Sequence, residues 1–240
     1  MPTAASIVSA MATIATIGMV GSPVVTVRKM EHQRSVGIMT PTFFCAQLVN
    51  CVMWSIYGVL RSSLAIVVCG VVGNAVATYC LLVFLAVARL EEKSGHRLAS
   101  TTYKKSLLSV TFALCAIAGV SALIVVLAAI SPHSAAVVNG LLGACTSVYM
   151  LGSPLALAGA IVKNKNAEGL APITMGFGLA NASLWVLSGA LVGDFFIVVP
   201  NVLGALACCL QFALLFRYGR RASEAVAVKT AIAPLPFTEC

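Results

Sequence analysis

The chain has 240 residues, 60% of them hydrophobic and 9% charged, with a formal net charge of +8 and a mean hydropathy of +1.01. A soluble domain carries charge on about a quarter of its residues. The composition therefore excludes an ordinary soluble domain and reads as a polytopic membrane protein.

Seven apolar runs of membrane-spanning length follow one another along the chain. The first, Ile7 to Val27, carries Gly21-Ser22-Pro23 near its inner end. The second, Pro41 to Leu60, opens on a proline and holds Gln47, Asn50, Trp54 and Tyr57. The third, Leu64 to Ala88, holds Gly70 and Asn74, and the fourth is Ser106 to Ile130. The fifth, Ala136 to Val162, carries Gly152-Ser153-Pro154. The sixth, Pro172 to Val192, again opens on a proline and holds Asn181 and Trp185. The seventh, Phe195 to Tyr218, directly follows Asp194 and places Pro200 and Asn201 side by side near its start. Apart from Arg217 at the end of the last run, none holds Asp, Glu, Lys, Arg or His.

The cations sort by side. If the first short loop is inside, the inner segments hold fourteen Lys and Arg residues and the outer segments only Arg61. That is a positive-inside pattern, with the N-terminus outside and the C-terminus inside. The basic residues are topology determinants, so no nucleic-acid partner is expected. Eight of the nine cysteines lie in spans, where they read as small packing residues. No Cys-x-x-Cys pair or His/Cys cluster is present, so no metal and no cofactor are expected. Cys240 is terminal and makes no prenylation box, and no cleavable signal peptide is evident.

Sliding the chain by 131 residues superposes it on itself without a gap. Gly21-Ser22-Pro23 falls on Gly152-Ser153-Pro154, Pro41 on Pro172, Asn50 on Asn181, Trp54 on Trp185, Gly58 on Gly189 and Gly73 on Gly204. Ile66-Val67-Val68 falls on Ile197-Val198-Val199, and the only two tryptophans coincide. Spans 1–3 and 5–7 are thus two copies of one unit, and span 4 restores the direction of the chain between them. The expected fold is an all-α membrane protein with seven transmembrane helices. They form two parallel three-helix bundles joined by an inversion-linker helix, a 3+1+3 arrangement. The expected units are residues 6–89, a loop and linker helix over 90–131, residues 134–220, and an inner tail over 221–240. Pro23 and Pro154 lie inside their spans, where a proline frees a carbonyl and permits a bend, and they read as hinges. Pro41 and Pro172 also fit the first turn of a helix.

Three stretches, "QLVNCVMWSIYG" (Gln47 to Gly58), "GSPLALAGAIVKNKNAEGLAP" (Gly152 to Pro172) and "NASLWVLSGALVGDFFIVVPNVLG" (Asn181 to Gly204), resemble the SWEET family of sugar facilitators. The likeness runs from span 1 to span 7 and is weakest in span 4, the loop before it and the tail. It implies bidirectional, ion-uncoupled diffusion of mono- or disaccharides. It also implies a central pocket using Asn201 and Trp185, with Trp54 where many relatives carry a smaller residue. Tyr57 and Asp194 match the family's outer gate. Pro23 and Pro154 match two of its four hinge prolines, with Pro41 and Pro172 close to the other two. The pattern departs on span 3: Gly70 stands opposite Asn201 and Cys69 opposite Pro200, leaving Asn74 one turn on as a candidate for the missing amide.

The chemistry suits a sugar. An amide donates and accepts, as a hydroxyl requires, and an indole packs on the C–H face of a ring. Against this, tryptophan also marks the membrane interface, and asparagine also ties helices together, the reading given to Asn50 and Asn181. Asp194 doubles as an N-cap for span 7. A proton-coupled carrier needs a titratable group within a span, and none is present away from Arg217. No HExxH motif and no Ser/His pairing in a span points to an enzyme. The expected function is an alternating-access uniporter of a small neutral sugar, hexose before sucrose, because two tryptophans narrow the pocket. The alternatives are a PQ-loop-type amino-acid exporter, or a receptor or scaffold of the same topology that transports nothing. The expected partners are the sugar and membrane lipid, with homo-oligomers left open. The expected place is the plasma membrane of a eukaryote or an internal membrane, with the N-terminus extracellular or lumenal.

Overall fold

A computed structural model describes residues 3–37, 39–94, 102–167, 170 and 172–219, without the side chains of 152–154. The expected inner tail over 221–240 and most of the loop before span 4 lie outside the described residues. Every regular element among them is an α-helix. Hydrocarbon offers backbone N–H and C=O groups no water, and a helix satisfies both within one segment. Span 1 is α1 (Ala4–Val20) continued by α2 (Ser22–Gln33). Spans 2, 3 and 4 are α3 (Thr42–Leu60), α4 (Leu64–Lys93) and α5 (Tyr103–Ile130). Span 5 is α6 (Pro132–Met150) continued by α7 (Gly152–Asn164), and spans 6 and 7 are α8 (Pro172–Val192) and α9 (Phe195–Tyr218). Seven helical segments are therefore long and apolar enough to cross a membrane, and the protein is an integral multi-pass membrane protein.

The helices overrun the apolar runs because caps, not hydropathy, set their ends. The hydroxyls of Thr3, Thr102 and Ser131 accept from the N–H groups of Ser6 (3.3 Å), Lys105 (3.4 Å) and Ser134 (3.3 Å), starting α1, α5 and α6. Spans 1 and 5 each break once, at Gly21 and at Leu151. At both breaks the chain makes i→i−3 bonds, Val24 N–H to Gly21 O at 3.1 Å and Leu151 N–H to Val148 O at 3.0 Å. Pro23 follows the first break within the opening turn of α2, where its missing N–H costs nothing. Pro200, by contrast, lies inside the unbroken α9, one turn after its start.

The helices pack as two bundles, α1/α2 with α3 and α4, and α6/α7 with α8 and α9, while α5 lies against α3, α4 and α6. The bundles meet along two seams, α1 on α8 and α3 on α6. The buried apolar residues divide accordingly. Val27, Met30, Val36 and Phe44 pack into an inner core of the first bundle. Their counterparts 131 positions on, Ala158, Ile161, Ala167 and Met175, pack into an inner core of the second. A third cluster, Ala12, Tyr57, Ile66, Trp185 and Ile197, is drawn from both bundles and lies toward the outer end. Among the described residues α2 and α7 touch only their own bundles. With the side of the first short loop labelled inner, the two halves share buried residues toward the outer end, and among the described residues their inner ends pack separately.

Within each bundle the second and third spans cross at a glycine. A Cβ on Gly58 would lie 2.8 Å from Val67 N and 2.9 Å from Val67 Cγ2, and one on Gly189 would lie 2.9 Å from Val198 Cγ2. Both Gly58→Ala and Gly189→Ala are expected to destabilise by about 1–3 kcal/mol. Gly58 suffers more, because main chain yields less than a methyl group. Gly159→Ala, with nothing within 4 Å, should stay within about 0.5 kcal/mol of wild type. Thermal unfolding in detergent measures all three.

Candidate functional site

The two seams carry the same polar device. On the α3–α6 seam, Trp54 Nε1–H donates to Ser147 Oγ (3.0 Å), and Ser147 donates on to Asn50 Oδ1 (2.9 Å). Thr146 Oγ1 also lies 2.9 Å from Asn50 Oδ1. On the α1–α8 seam, Trp185 Nε1–H donates to Thr16 Oγ1 (2.7 Å), which lies 2.8 Å from Asn181 Oδ1 and 2.8 Å from Ala12 O. Thr16 and Ser147 are 131 residues apart, as are the two asparagines and the two tryptophans. Each indole is therefore anchored by the opposite bundle, with its one donor engaged and its ring faces left for packing. Trp54 lies on Gly143, where an added Cβ would be 3.3 Å from the indole.

Asn201 sits one turn further into α9 than Ile197. Its Nδ2 donates to Ile197 O at 2.8 Å, and the residue is part-exposed. On α4, Asn74 Nδ2 donates to Ser55 Oγ at 3.0 Å, while its Oδ1 is buried without a partner. Gly70 packs directly on Ser55, which leaves no room for a side chain. Of the two span 3 candidates, only Asn74 carries a free acceptor, and it is held within its own bundle between α3 and α4.

Asymmetry enters at the outer end. Tyr57 O–H on α3 lies 2.7 Å and 2.9 Å from the two carboxylate oxygens of Asp194. Both residues are buried, at 1% and 5% exposure. Asp194 also caps α9, its Oδ1 accepting from Phe196 N–H at 3.1 Å, so the same carboxylate serves the cap and the phenol contact. Arg61 Nε stands 3.6 Å from Asp194 Oδ2. Beneath the phenol, Gly140 supplies the clearance: a Cβ there would come within 2.8 Å of both Tyr57 and Phe196. Its neighbour Asn139, fully buried, donates from Nδ2 to Met53 O at 2.8 Å and so ties α6 to α3. A cavity of about 160 Å³ opens outside this contact, lined by Arg61, His133, Ala136 and Phe195 among others. On the other seam the corresponding link is a hydroxyl pair, Ser9 to Ser188 at 2.7 Å.

The expected hinge prolines fall at different kinds of position. Pro23 opens α2, Pro41 is the N-cap of α3, and Pro172 is the first residue of α8. Pro154 lies in the first turn of α7, with its side chain outside the described residues. No group of three or more His, Cys, Asp or Glu that could hold a metal occurs among the described residues. The sequence reading missed Thr16, Ser147, Asn139 and Gly140. The first two were open to it, since a hydroxyl recurs at the repeat offset on the spans that face the tryptophans.

Removing a relay hydroxyl strands an indole donor and leaves an amide oxygen short of its partner. Thr16→Val and Ser147→Ala should each lower stability by about 1–3 kcal/mol, because a buried donor without an acceptor costs its desolvation. Thr16→Ser should recover most of the loss. Thermal unfolding in detergent, with tryptophan fluorescence as the probe, distinguishes the three.

Comparison with known proteins finds relatives that cover most of the chain. A family profile described as "Sugar efflux transporter for intercellular exchange" matches residues 6–92 and again 137–223. The rice (Oryza sativa subsp. indica) "Bidirectional sugar transporter SWEET15" is 27% identical over 199 residues, 82% of this chain and 59% of that protein. This chain thus spans about three-fifths of the length of the rice relatives it matches at 58% and 59% coverage. "Sugar transporter SWEET1" of Drosophila pseudoobscura pseudoobscura is 23% identical over 232 residues, 96% of this chain and 97% of that one. The solved structure of a eukaryotic SWEET transporter superposes with a TM-score of 0.76 at 22% identity, covering 90% of this chain and 99% of the other, and it supports the fold. With both repeats matched by one family profile, the chain belongs to the MtN3/SWEET family.

Proposed function

We propose that this protein is an uncoupled, bidirectional facilitator of small neutral sugars, hexoses first, working by alternating access about the mid-depth layer of Trp54, Trp185 and Asn201. The observation that carries the reading is the division of the core. The bundles share buried residues at the outer end and keep separate cores at the inner end. A carrier must leave one side unpacked and seal the other in turn. In this reading the conformation is inward-facing, with Tyr57 and Asp194 as the closed outer gate. Pro23 and Pro154, with Pro41 and Pro172 beside them, are the places where the inner halves swing. Family relatives named as sugar transporters supply the substrate class.

The polar inventory fits a neutral substrate. The mid-depth layer offers amides, hydroxyls and indole faces, and no Asp, Glu, Lys, Arg or His. A charged substrate would meet no countercharge, and a coupling proton no carrier. The proposed orientation puts the basic loops in the cytoplasm and the Tyr57–Asp194 contact on the extracellular or lumenal side.

Radiolabelled sugar flux in proteoliposomes tests this. Glucose should equilibrate and never accumulate, with or without an imposed pH gradient; accumulation driven by the gradient would overturn the uncoupled reading. Asn201→Ala should cut glucose flux by about five- to tenfold, the cost of losing a hydrogen bond to substrate. Unchanged flux would take Asn201 out of the site. Sucrose flux equal to that of glucose would overturn the hexose preference.

A further inference from the structure

α4 turns one apolar stripe away from its bundle. Tyr79, Leu82, Ala86 and Leu90 recur at the spacing of one helix face, and all four are exposed. Together with Glu31 and Arg34 at the end of α2 they line a cavity of about 670 Å³. Ala86, a methyl between two leucines, leaves the stripe concave. The dimensions are those of one leaflet. Leu90 follows Tyr79 by eleven residues, which is about 16 Å of helix, and half of the hydrocarbon core is about 15 Å.

The two charges lie at the inner end. Glu31 and Arg34 both fall beyond Val27, where the apolar run of span 1 stops, and so at headgroup level. Among the described residues the one salt bridge is Arg61–Asp194, on the outer side, so Glu31 and Arg34 pair neither with each other nor with a neighbour. The backbone fixes where they stand. Arg34 is the C-cap of α2 at φ 52°, its N–H donating to Glu31 O at 3.2 Å. Ser35 Oγ and Val36 N–H then donate to the buried carboxylate of Glu91 on α4, both at 2.9 Å. That ties the turn to the helix that forms the groove.

The repeat does not preserve the arrangement. At the positions 131 further on, Val162 replaces Glu31, Lys165 replaces Arg34 and Arg217 replaces Ala86. The Arg217 guanidinium lies over the Tyr218 ring, 5.7 Å from its centre. The second copy therefore has no acid at this point and a long cation where the first has a methyl. Neither duplicated packing nor the positive-inside pattern accounts for Glu31.

We propose that this groove binds an inner-leaflet phospholipid whose headgroup carries a primary ammonium, with an acyl chain along Tyr79 to Leu90, the phosphate on Arg34 and the ammonium on Glu31. The proposal does not rest on the sugar reading. A guanidinium suits a phosphate, offering two parallel N–H donors to two oxygens. A headgroup with an anion alone would satisfy Arg34 and be repelled by Glu31. An ammonium with N–H donors satisfies the carboxylate as well, and a quaternary ammonium, with none, serves it less well. The apolar stripe selects a molecule with an acyl chain over a soluble phosphate ester.

The full-length protein in detergent is equilibrated with equal amounts of phosphatidylethanolamine, phosphatidylcholine and phosphatidylglycerol of identical acyl chains, and retained lipid is read by native mass spectrometry. Wild type should retain one phosphatidylethanolamine, favoured about three- to fivefold over each of the others, the range of one partly exposed ion pair. Glu31→Gln should level phosphatidylethanolamine with phosphatidylcholine. Arg34→Gln should lower retention of all three by a similar factor. Ala86→Phe, which fills the groove, should lower it too, with Ala86→Leu in its place where the larger ring does not fold. Excess soluble glycerophosphoethanolamine should displace nothing. No preference in wild type, an unchanged preference in Glu31→Gln, or displacement by the soluble headgroup overturns the proposal. A change in the number of chains per particle in Ala86→Phe, with lipid retention unchanged, would give the groove to a second copy of the chain and overturn it equally.

Discussion

A tryptophan buried between lipid-embedded helices must find an acceptor for its one N–H, and here both tryptophans find it on the other half of the molecule. Lipid is as apolar as leucine, so no hydrophobic force draws one bundle to the other within the membrane. What remains is close packing and polar contact. Thr16 and Ser147 provide the second, each receiving an indole proton and lying within hydrogen-bonding distance of an asparagine oxygen. Gly140 and Gly143 provide the first, by letting the aromatic rings of the outer half lie directly on α6. The interface is thus a pair of short polar relays set among small residues. Such an interface can be remade at modest cost, since each donor and acceptor has simple alternatives.

The duplication explains why there are two relays, and its breakdown explains the outer end. Where the first copy carries Tyr57, the second carries Ser188; where the second carries Asp194 and Gly140, the first carries Ser63 and Ser9. One seam therefore closes with a small hydroxyl pair, and the other with a phenol, a carboxylate and a guanidinium. The phenol fits there because Gly140 has no side chain: a Cβ would lie 2.8 Å from the ring. A similar trade marks α4 and α9. Gly70, at the position matching Asn201, lets α4 lie close on Ser55, and Asn74, one turn on, donates to the same serine.

Much of this was legible in the residues, for physical reasons. Spans must be apolar, and a duplicated chain keeps its glycines, prolines and tryptophans where packing constrains them, so hydropathy and the repeat offset reached the architecture. Helix ends were less legible, because Thr3, Thr102 and Ser131 cap through local backbone geometry that hydropathy ignores. The relay hydroxyls were hidden for another reason. Serine and threonine in a span bond back to their own helix, as Thr16 does to Ala12 O, and so carry no periodic signal of a distant partner. Asn50 and Asn181, read as interhelical ties, have their side-chain oxygens within hydrogen-bonding distance of those hydroxyls across the seams. Arg61 was visible as an exception to the charge pattern, but its partner depends on which outer loops the fold makes neighbours.

The helix breaks in spans 1 and 5 gain meaning from where contact between the bundles ends. α1 lies against α8 and α6 lies against α3, whereas α2 and α7 touch only their own bundles among the described residues. The change of neighbour falls at Gly21 and Leu151, where the hydrogen-bond ladder is already interrupted. A continuous helix would transmit the outer contact into the inner half as a rigid rod. An interrupted one lets the inner half keep its own core, Val27 and Met30 in the first bundle and Ala158 and Ile161 in the second, while the outer half stays docked. The inner cores need not be rebuilt for the inner sides to approach. In the proposed transport cycle each would move as a packed unit about this break, where the proline of "GSP" removes a backbone donor from the helix that follows.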